Sequence, residues 1–148
     1  MDRGECGGIL IDADVTIDFL SFDDWLFRLV ADGIGPVYAS SLLTEEVRAI
    51  DAEMCGSFGI ILCEPDTALV DRAVVRRGPL SPYDWIYLAI ACEHGWTCVT
   101  NDQALRWECL RAGLPVVWGV ELLCILVERH CMTTAELTDA VLRIRKTN

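Results

Sequence analysis

The chain has 148 residues, 53% hydrophobic and 24% charged, which fits one folded domain and excludes disorder, collagen-like repeats and low complexity. Its 23 acids outweigh 12 bases for a net charge of −11, and Lys146 is the sole lysine beside eleven arginines. Such a chain cannot coat a nucleic acid by diffuse charge. Any nucleic acid must be held at a local site or through metal ions, and a basic protein partner suits the charge equally.

In chain order, the opening MDRGECGG is polar and acidic and lacks a signal-peptide pattern, so a cytoplasmic location is expected. Gly8 to Asp12 reads as a short buried strand ending in an acid, followed by a helix from Val15 to Ala31 closed by Asp32-Gly33. Pro36 to Ser40 is a second strand, and Ser41 to about Met54 a helix. Gly59 to Cys63 is a third strand stopped by Pro65, and Asp66 to Arg77 is helical. Ser81 to His94 is a strong helix, Thr97 to Thr100 a strand, Asp102 to Ala112 a helix, and Leu114 to Trp118 a fifth strand. Two helices close the chain, Val120 to Arg129 and Thr134 to Arg145. The longest nearly apolar stretch, Leu114 to Val127, contains Glu121 and is too short to cross a membrane.

Strands that alternate with helices predict a parallel sheet covered on both faces. The expectation is a three-layer α/β/α sandwich with a central parallel sheet of four to five strands, in a single domain over residues 1–148. Ligands bind such sheets beyond the carboxyl ends of the strands. The eight cysteines include no CxxC pair and lie mostly in apolar runs, so they read as small buried thiols. Zinc is not expected, because neither His94 nor His130 belongs to a ligand-spaced cluster.

Four acids fall at the same sheet edge. Asp12 ends the first strand, and Asp14 two residues on suits the cap of the next helix. On the second helix Leu43, Val47, Ile50 and Met54 form the apolar stripe. Glu46 lies about 60° from its centre and Glu45 about 160°, at ~100° per residue, so Glu46 is the inward acid. Asp84 fits a capping box in Ser81-Pro82-Tyr83-Asp84, yet it also shares a helix face with Leu88 and Ala91. Asn101 or Asp102 can cap the helix after Thr100. Each acid alone has a structural explanation. Together they would repel, since two charges ~4 Å apart cost about 4 kcal/mol at an effective dielectric of ~20. Divalent cations reverse that logic, and an all-oxygen donor set suits Mg²⁺ or Mn²⁺.

With these residues the chain resembles the PIN-domain nucleases, and among them the small VapC-like toxins. The likeness runs through ILIDADVTIDFL, SSLLTEEV, SPYDWIYLAIACEHG, CVTNDQALR and the tail PVVWGVELL with MTTAELTDAVLRI. It implies a ribonuclease dependent on one or two Mg²⁺ or Mn²⁺ ions. Asp12, Glu46, Asp84 and Asp102 would be the acidic quartet, assisted by Asp14, Thr100 and Asn101. Water would be the nucleophile, leaving 5′-phosphate and 3′-hydroxyl ends, with no histidine required. Asp14 departs from the more usual Asn. The resemblance also implies a cognate antitoxin with a basic segment, and a homodimer that the hydrophobic composition permits. Arg76, Arg77, Arg106 and Arg111 are candidate RNA contacts, although a solvated helix residue is the simpler reading of each. Tyr83 or Trp85 could stack on a base, core packing being the simpler reading of Trp85. Two alternatives stand beside this one. Asp12-Ala13-Asp14-Val15-Thr16 nearly fits the opening motif of haloacid-dehalogenase-type phosphatases, with Asp12 as nucleophile, but that chemistry wants a mid-chain lysine. The other is a PIN scaffold that binds RNA or protein without cleaving.

Overall fold

Five short apolar segments pair into one all-parallel sheet. The computed structural model describes residues 7–147, so Cys6 and the reading of the opening segment through it lie outside the described residues. In chain order the elements are β1 (Ile9–Ile11), α1 (Ala13–Phe22), α2 (Trp25–Gly33), β2 (Val37–Ser40), α3 (Leu43–Glu46), α4 (Ala52–Phe58) and β3 (Ile60–Cys63). Then come α5 (Thr67–Val75), α6 (Pro82–His94), β4 (Thr97–Val99), α7 (Gln103–Arg111), β5 (Val116–Val117), α8 (Gly119–Glu128) and α9 (Thr134–Thr147). The strand order is β3-β2-β1-β4-β5. This is the expected three-layer α/β/α arrangement.

Strand alternation splits the core in two. Ile9, Ile11, Val37, Ala39 and Val99 face a layer holding α1, α2, α4, α8 and α9, with Phe19, Phe27, Leu122 and Leu126 at its centre. Leu10 and Cys98 face the other way, onto Ile86, Ile90 and Leu105 from α6 and α7. Full burial of one such aliphatic side chain contributes roughly 1.5–3 kcal/mol. Seven cysteines among the described residues are free thiols; Cys55, Cys98 and Cys109 are buried, whereas Cys92 is exposed. No helix among the described residues is long and apolar enough to cross a membrane.

Two expected helices are broken. The helix foreseen from Val15 to Ala31 divides at Asp23, whose backbone is extended (φ −165°, ψ 143°) and whose N–H closes α1 on Phe19. Ser21 Oγ donates to the Asp18 carbonyl, and Trp25 N–H reaches Asp23 Oδ1 at 3.4 Å. Short polar side chains thus offer the backbone partners that compete with the helix. The division lets Phe19 and Phe27 meet, with ring centroids 5.6 Å apart. The helix foreseen from Ser41 to Met54 is likewise two pieces. Val47 turns extended (φ −114°, ψ 96°) after α3, and Asp51 caps α4 by accepting from Met54 N–H at 2.8 Å. The apolar positions still reach the core, Val47 at 5% and Ile50 at 2% exposure, but through a turn rather than a continuous stripe.

Candidate active site

The sheet order changes direction at β1: the chain moves outward through β2 and β3, then returns to add β4 on the other side. Crevices open beyond the strand ends at such a switch point. The register pairs Ile11 with Val99, which brings the residues just after β1 and β4 side by side. These are Asp12 and Thr100.

Asp12 is 7% exposed. Its Oδ1 caps α1 by accepting from Ala13 N–H at 2.8 Å, and its Oδ2 accepts from Thr100 Oγ1 at 2.8 Å. The same hydroxyl accepts from Asp102 N–H at 3.1 Å. Asp102 in turn caps α7, its Oδ1 accepting from Leu105 N–H at 2.8 Å. On α6, Asp84 Oδ2 accepts from Ser81 N–H while Ser81 Oγ accepts from Asp84 N–H, the foreseen capping box. Capping and site-building are therefore one device. A cap pins one carboxylate oxygen at a helix N-terminus and fixes the direction of the other.

The acids share one electrostatic field. Burial first, then Asp84 and Asp14, push the Asp12 carboxyl from 3.8 to about 6, against the opposing bonds from Thr100 and Ala13. Glu46 is pushed from 4.5 to about 7 by loss of hydration, then by Asp12, Asp84 and Asp14, although part of its side chain stays open to water. Asp84 is raised by burial and by Asp102 and Asp14, and Asp14 by burial, Asp102 and Asp18. Among the described residues the two ion pairs, Arg106–Glu121 and Arg111–Glu108, lie elsewhere. Glu45 and Glu46 are both exposed, so the expected contrast between an inward and an outward acid is not one of burial: Glu45 accepts from Tyr83 OH at 3.3 Å, whereas Glu46 is the one that feels the charges of Asp12 and Asp84.

The basic residues are largely engaged in packing. The Arg76 guanidinium lies over Trp85, 3.7 Å from the ring centroid, and Arg106 lies over Trp118 at 4.3 Å and 3.9 Å from Glu121. Arg111 pairs with Glu108 at 3.5 Å. Arg77 is exposed. Trp85 packs against the second core, and Tyr83, beside Asp84 on α6, donates its hydroxyl to Glu45.

Two contributors were not foreseen. Buried Tyr87 on α6 donates its hydroxyl to Leu10 C=O and accepts from Val99 N–H at 2.9 Å, joining β1 to β4 one step before the site. Asp18, 9% exposed on α1, accepts from Asn101 Nδ2 at 3.0 Å. The only sequence signal for Asp18 is its place one helical turn beyond Asp14.

The donor chemistry fits a hard divalent cation: oxygen only, mutually repelling, with no basic side chain paired to it among the described residues. Among the described residues no three His, Cys, Asp or Glu side chains converge tightly enough to hold a metal between them. Magnesium does not need such a cage, because it keeps several waters and binds through one or two carboxylates.

No protein-family model matches the sequence, and no curated protein matches it. Among solved structures the chain is similar to a PilT N-terminus (PIN) domain protein from the hyperthermophilic archaeon Sulfolobus solfataricus P2. The TM-score is 0.57 at 15% identity, covering 82% of this chain and 94% of that one. At that identity the likeness is one of fold, and it is the fold expected from the sequence.

Proposed function

We propose that this chain is a divalent-metal-dependent endoribonuclease, a single PIN-type domain over residues 1–148. In this reading it is the toxin of a cytoplasmic toxin–antitoxin pair. One observation carries the reading: Asp12, Asp84 and Asp102 are fixed by hydrogen bonds at the starts of three helices around the β1–β4 switch point, where burial and then neighbouring carboxylates raise the Asp12 and Asp84 pKa, with no cation paired to them among the described residues. The nuclease character of PIN folds agrees with it. Asp12, Glu46, Asp84 and Asp102 would hold one or two Mg²⁺ or Mn²⁺ ions, with Asp14 beside them. Such ions supply charge neutralisation and water activation at a phosphodiester.

The remaining work falls to the chain itself. Thr100 fixes the Asp12 carboxylate and the Asp102 backbone with one hydroxyl. The caps on α1, α6 and α7 keep three acids from rotating away when substrate arrives. Of the arginines, Arg77 is free of the packing that engages Arg76 and Arg106, which makes it the better placed phosphate contact of the three. An acidic toxin calls for a basic antitoxin segment, and opposite charge would speed their encounter. A homodimer belongs to the same reading.

The test compares wild type with Asp84→Asn on mixed structured and single-stranded RNA, with Mn²⁺ and with chelator. Asn retains an oxygen for Ser81 N–H, so the cap and the fold survive. The expected result is Mn²⁺-dependent cleavage that falls by about a hundredfold or more in the variant, at least the loss seen when an outer-shell partner of a metal ligand is removed. Equal cleavage would leave Asp84 a cap only. Turnover of a phosphomonoester through a covalent phospho-Asp12 would replace the nuclease by the phosphatase. Mn²⁺ binding without cleavage would make the fold a scaffold. A second comparison separates neighbours on α3: Glu46→Gln should lose cleavage to a similar degree, and Glu45→Gln should retain it. The reverse ranking would remove Glu46 from the site.

A further inference from the structure

We propose that Asp18 is a positioning residue of the acid site, acting through the Asn101 side chain; the inference rests on the nuclease reading above. Asn101 stands between Thr100 and Asp102, and its amide is held from both sides. Nδ2 donates to Asp18 Oδ2 at 3.0 Å, and Oδ1 accepts from Gly119 N–H at 3.0 Å. These partners fix which way the amide points, because a carboxylate only accepts and a backbone N–H only donates. The amide lies close against α8: a Cβ added at Gly119 would sit 3.4 Å from Asn101 Oδ1. Three elements therefore meet at one side chain: α1 through Asp18, the turn after β4, and the start of α8.

That turn sets the site. Thr100 Oγ1 donates to Asp12 Oδ2 and accepts from Asp102 N–H, so rotation of the backbone at Asn101 would disturb both. With its oxygen and its nitrogen both engaged, Asn101 is a strut between Asp18 and α8. Asp18 is the anchored end of that strut, buried at 9% exposure and lying on the same helix as Asp14.

The test exchanges the two side chains. Asn101→Asp sets one carboxylate against another at hydrogen-bonding distance, which repels. Asp18→Asn alone still presents an oxygen to Asn101 Nδ2. In the double variant the pair is restored with roles reversed: the carboxylate accepts from Gly119 N–H and from the amide now on α1. Mn²⁺ affinity, kcat and KM on RNA, and the thermal midpoint are measured for all four proteins.

Asn101→Asp should weaken Mn²⁺ binding and lower kcat by about tenfold or more, with a smaller change in KM, as for loss of a buried hydrogen-bonded partner. The double variant should recover to within about threefold, the non-additivity that direct contact produces. A double variant no better than Asn101→Asp would overturn the proposal. So would a midpoint that falls and recovers while Mn²⁺ affinity and kcat never move, since that is a purely structural tie. A wild type that neither binds Mn²⁺ nor cleaves RNA would overturn the nuclease reading and the positioning role together, and recovery of the midpoint in the double variant would then mark the tie as structural.

Discussion

Asp12→Asn should lose most Mn²⁺-dependent cleavage and yet melt higher than wild type at pH 8 in the absence of metal. Asp12 is 7% exposed, and burial pushes its carboxyl from 3.8 to about 6. A folded-state pKa above the unfolded one means that the fold holds the proton more tightly than the unfolded chain does. The resulting stability is fully present below about pH 4 and is lost as pH rises through about 6. At pH 8 the loss is complete, and a carboxyl moved from 3.8 to about 6 corresponds to about 3 kcal/mol at most. Glu46, pushed to about 7, acts in the same direction, but its open face to water makes its share smaller.

Asn carries no charge, keeps an oxygen for Ala13 N–H, and offers an N–H toward Thr100 Oγ1, which can accept. Removing the buried charge should therefore raise the midpoint at pH 8 by about 5–10 °C, at roughly 2–4 °C per kcal/mol for a domain of this size. Cleavage should fall by about a hundredfold or more, as when a preorganised charged group is removed from an active site. Acidification from pH 8 to pH 5 should stabilise the metal-free wild type more than the variant. Mn²⁺ at pH 8 should stabilise wild type alone, because only a state that binds the ion gains from it. A variant that melts below wild type at both pH values would make Asp12 a helix cap and nothing more.

That trade between stability and chemistry explains what the sequence could and could not reveal. The five strands are legible because each is a short apolar run bounded by turn residues, and alternation with helices forces a parallel sheet. Helix continuity was not legible at two places. At Asp23 and at Asp51 short polar side chains take backbone partners of their own, and the apolar residues nearby, Phe27 and Ile50, are buried through a turn that helical periodicity does not signal. Glu46 was singled out on the phase of a helix that in fact ends at Glu46 itself. Its nearness to Asp12 and Asp84 survives because α3 follows β2, the strand next to β1. Caps on Asp84 and Asp102 could be read from spacing alone, since a cap is a local contact, whereas the cap of α1 falls on Asp12 and not on Asp14, the residue expected to supply it, because the helix already begins at Ala13. The bonds of Asn101 to Asp18 and of Tyr87 to Leu10 join residues 83 and 77 positions apart, and no local pattern carries them. The stacking of Arg76 over Trp85 and of Arg106 over Trp118 was hidden for the same reason, because only the folded chain creates those contacts.

Tyr87→Phe should destabilise the protein by about 1–3 kcal/mol, the cost of leaving buried hydrogen-bonding groups without a partner. The ring is 4% exposed and packs in the second core beside Ile86 and Ile90, so Phe keeps the apolar contacts and deletes one oxygen. That oxygen serves two strands, donating to Leu10 C=O and accepting from Val99 N–H at 2.9 Å. Its position matters as much as its energy. Leu10 and Val99 lie on the two strands that deliver Asp12 and Thr100, so loosening them there should also weaken the 2.8 Å contact between those side chains. The thermal midpoint should fall by about 2–12 °C, again at roughly 2–4 °C per kcal/mol, and Mn²⁺ affinity should fall with it. Burial, before any neighbouring charge, holds the Tyr87 hydroxyl well above its ordinary pKa, so it stays neutral between pH 5 and pH 9. The deficit of Tyr87→Phe should therefore be the same at both ends of that range, whereas the gain of Asp12→Asn should shrink toward pH 5. Melts of the two variants at pH 5 and pH 8 separate a hydrogen bond that builds the crevice from a charge that works in it. A deficit for Tyr87→Phe that varied with pH as Asp12→Asn does would show that the hydroxyl acts through the carboxylates rather than through the strands.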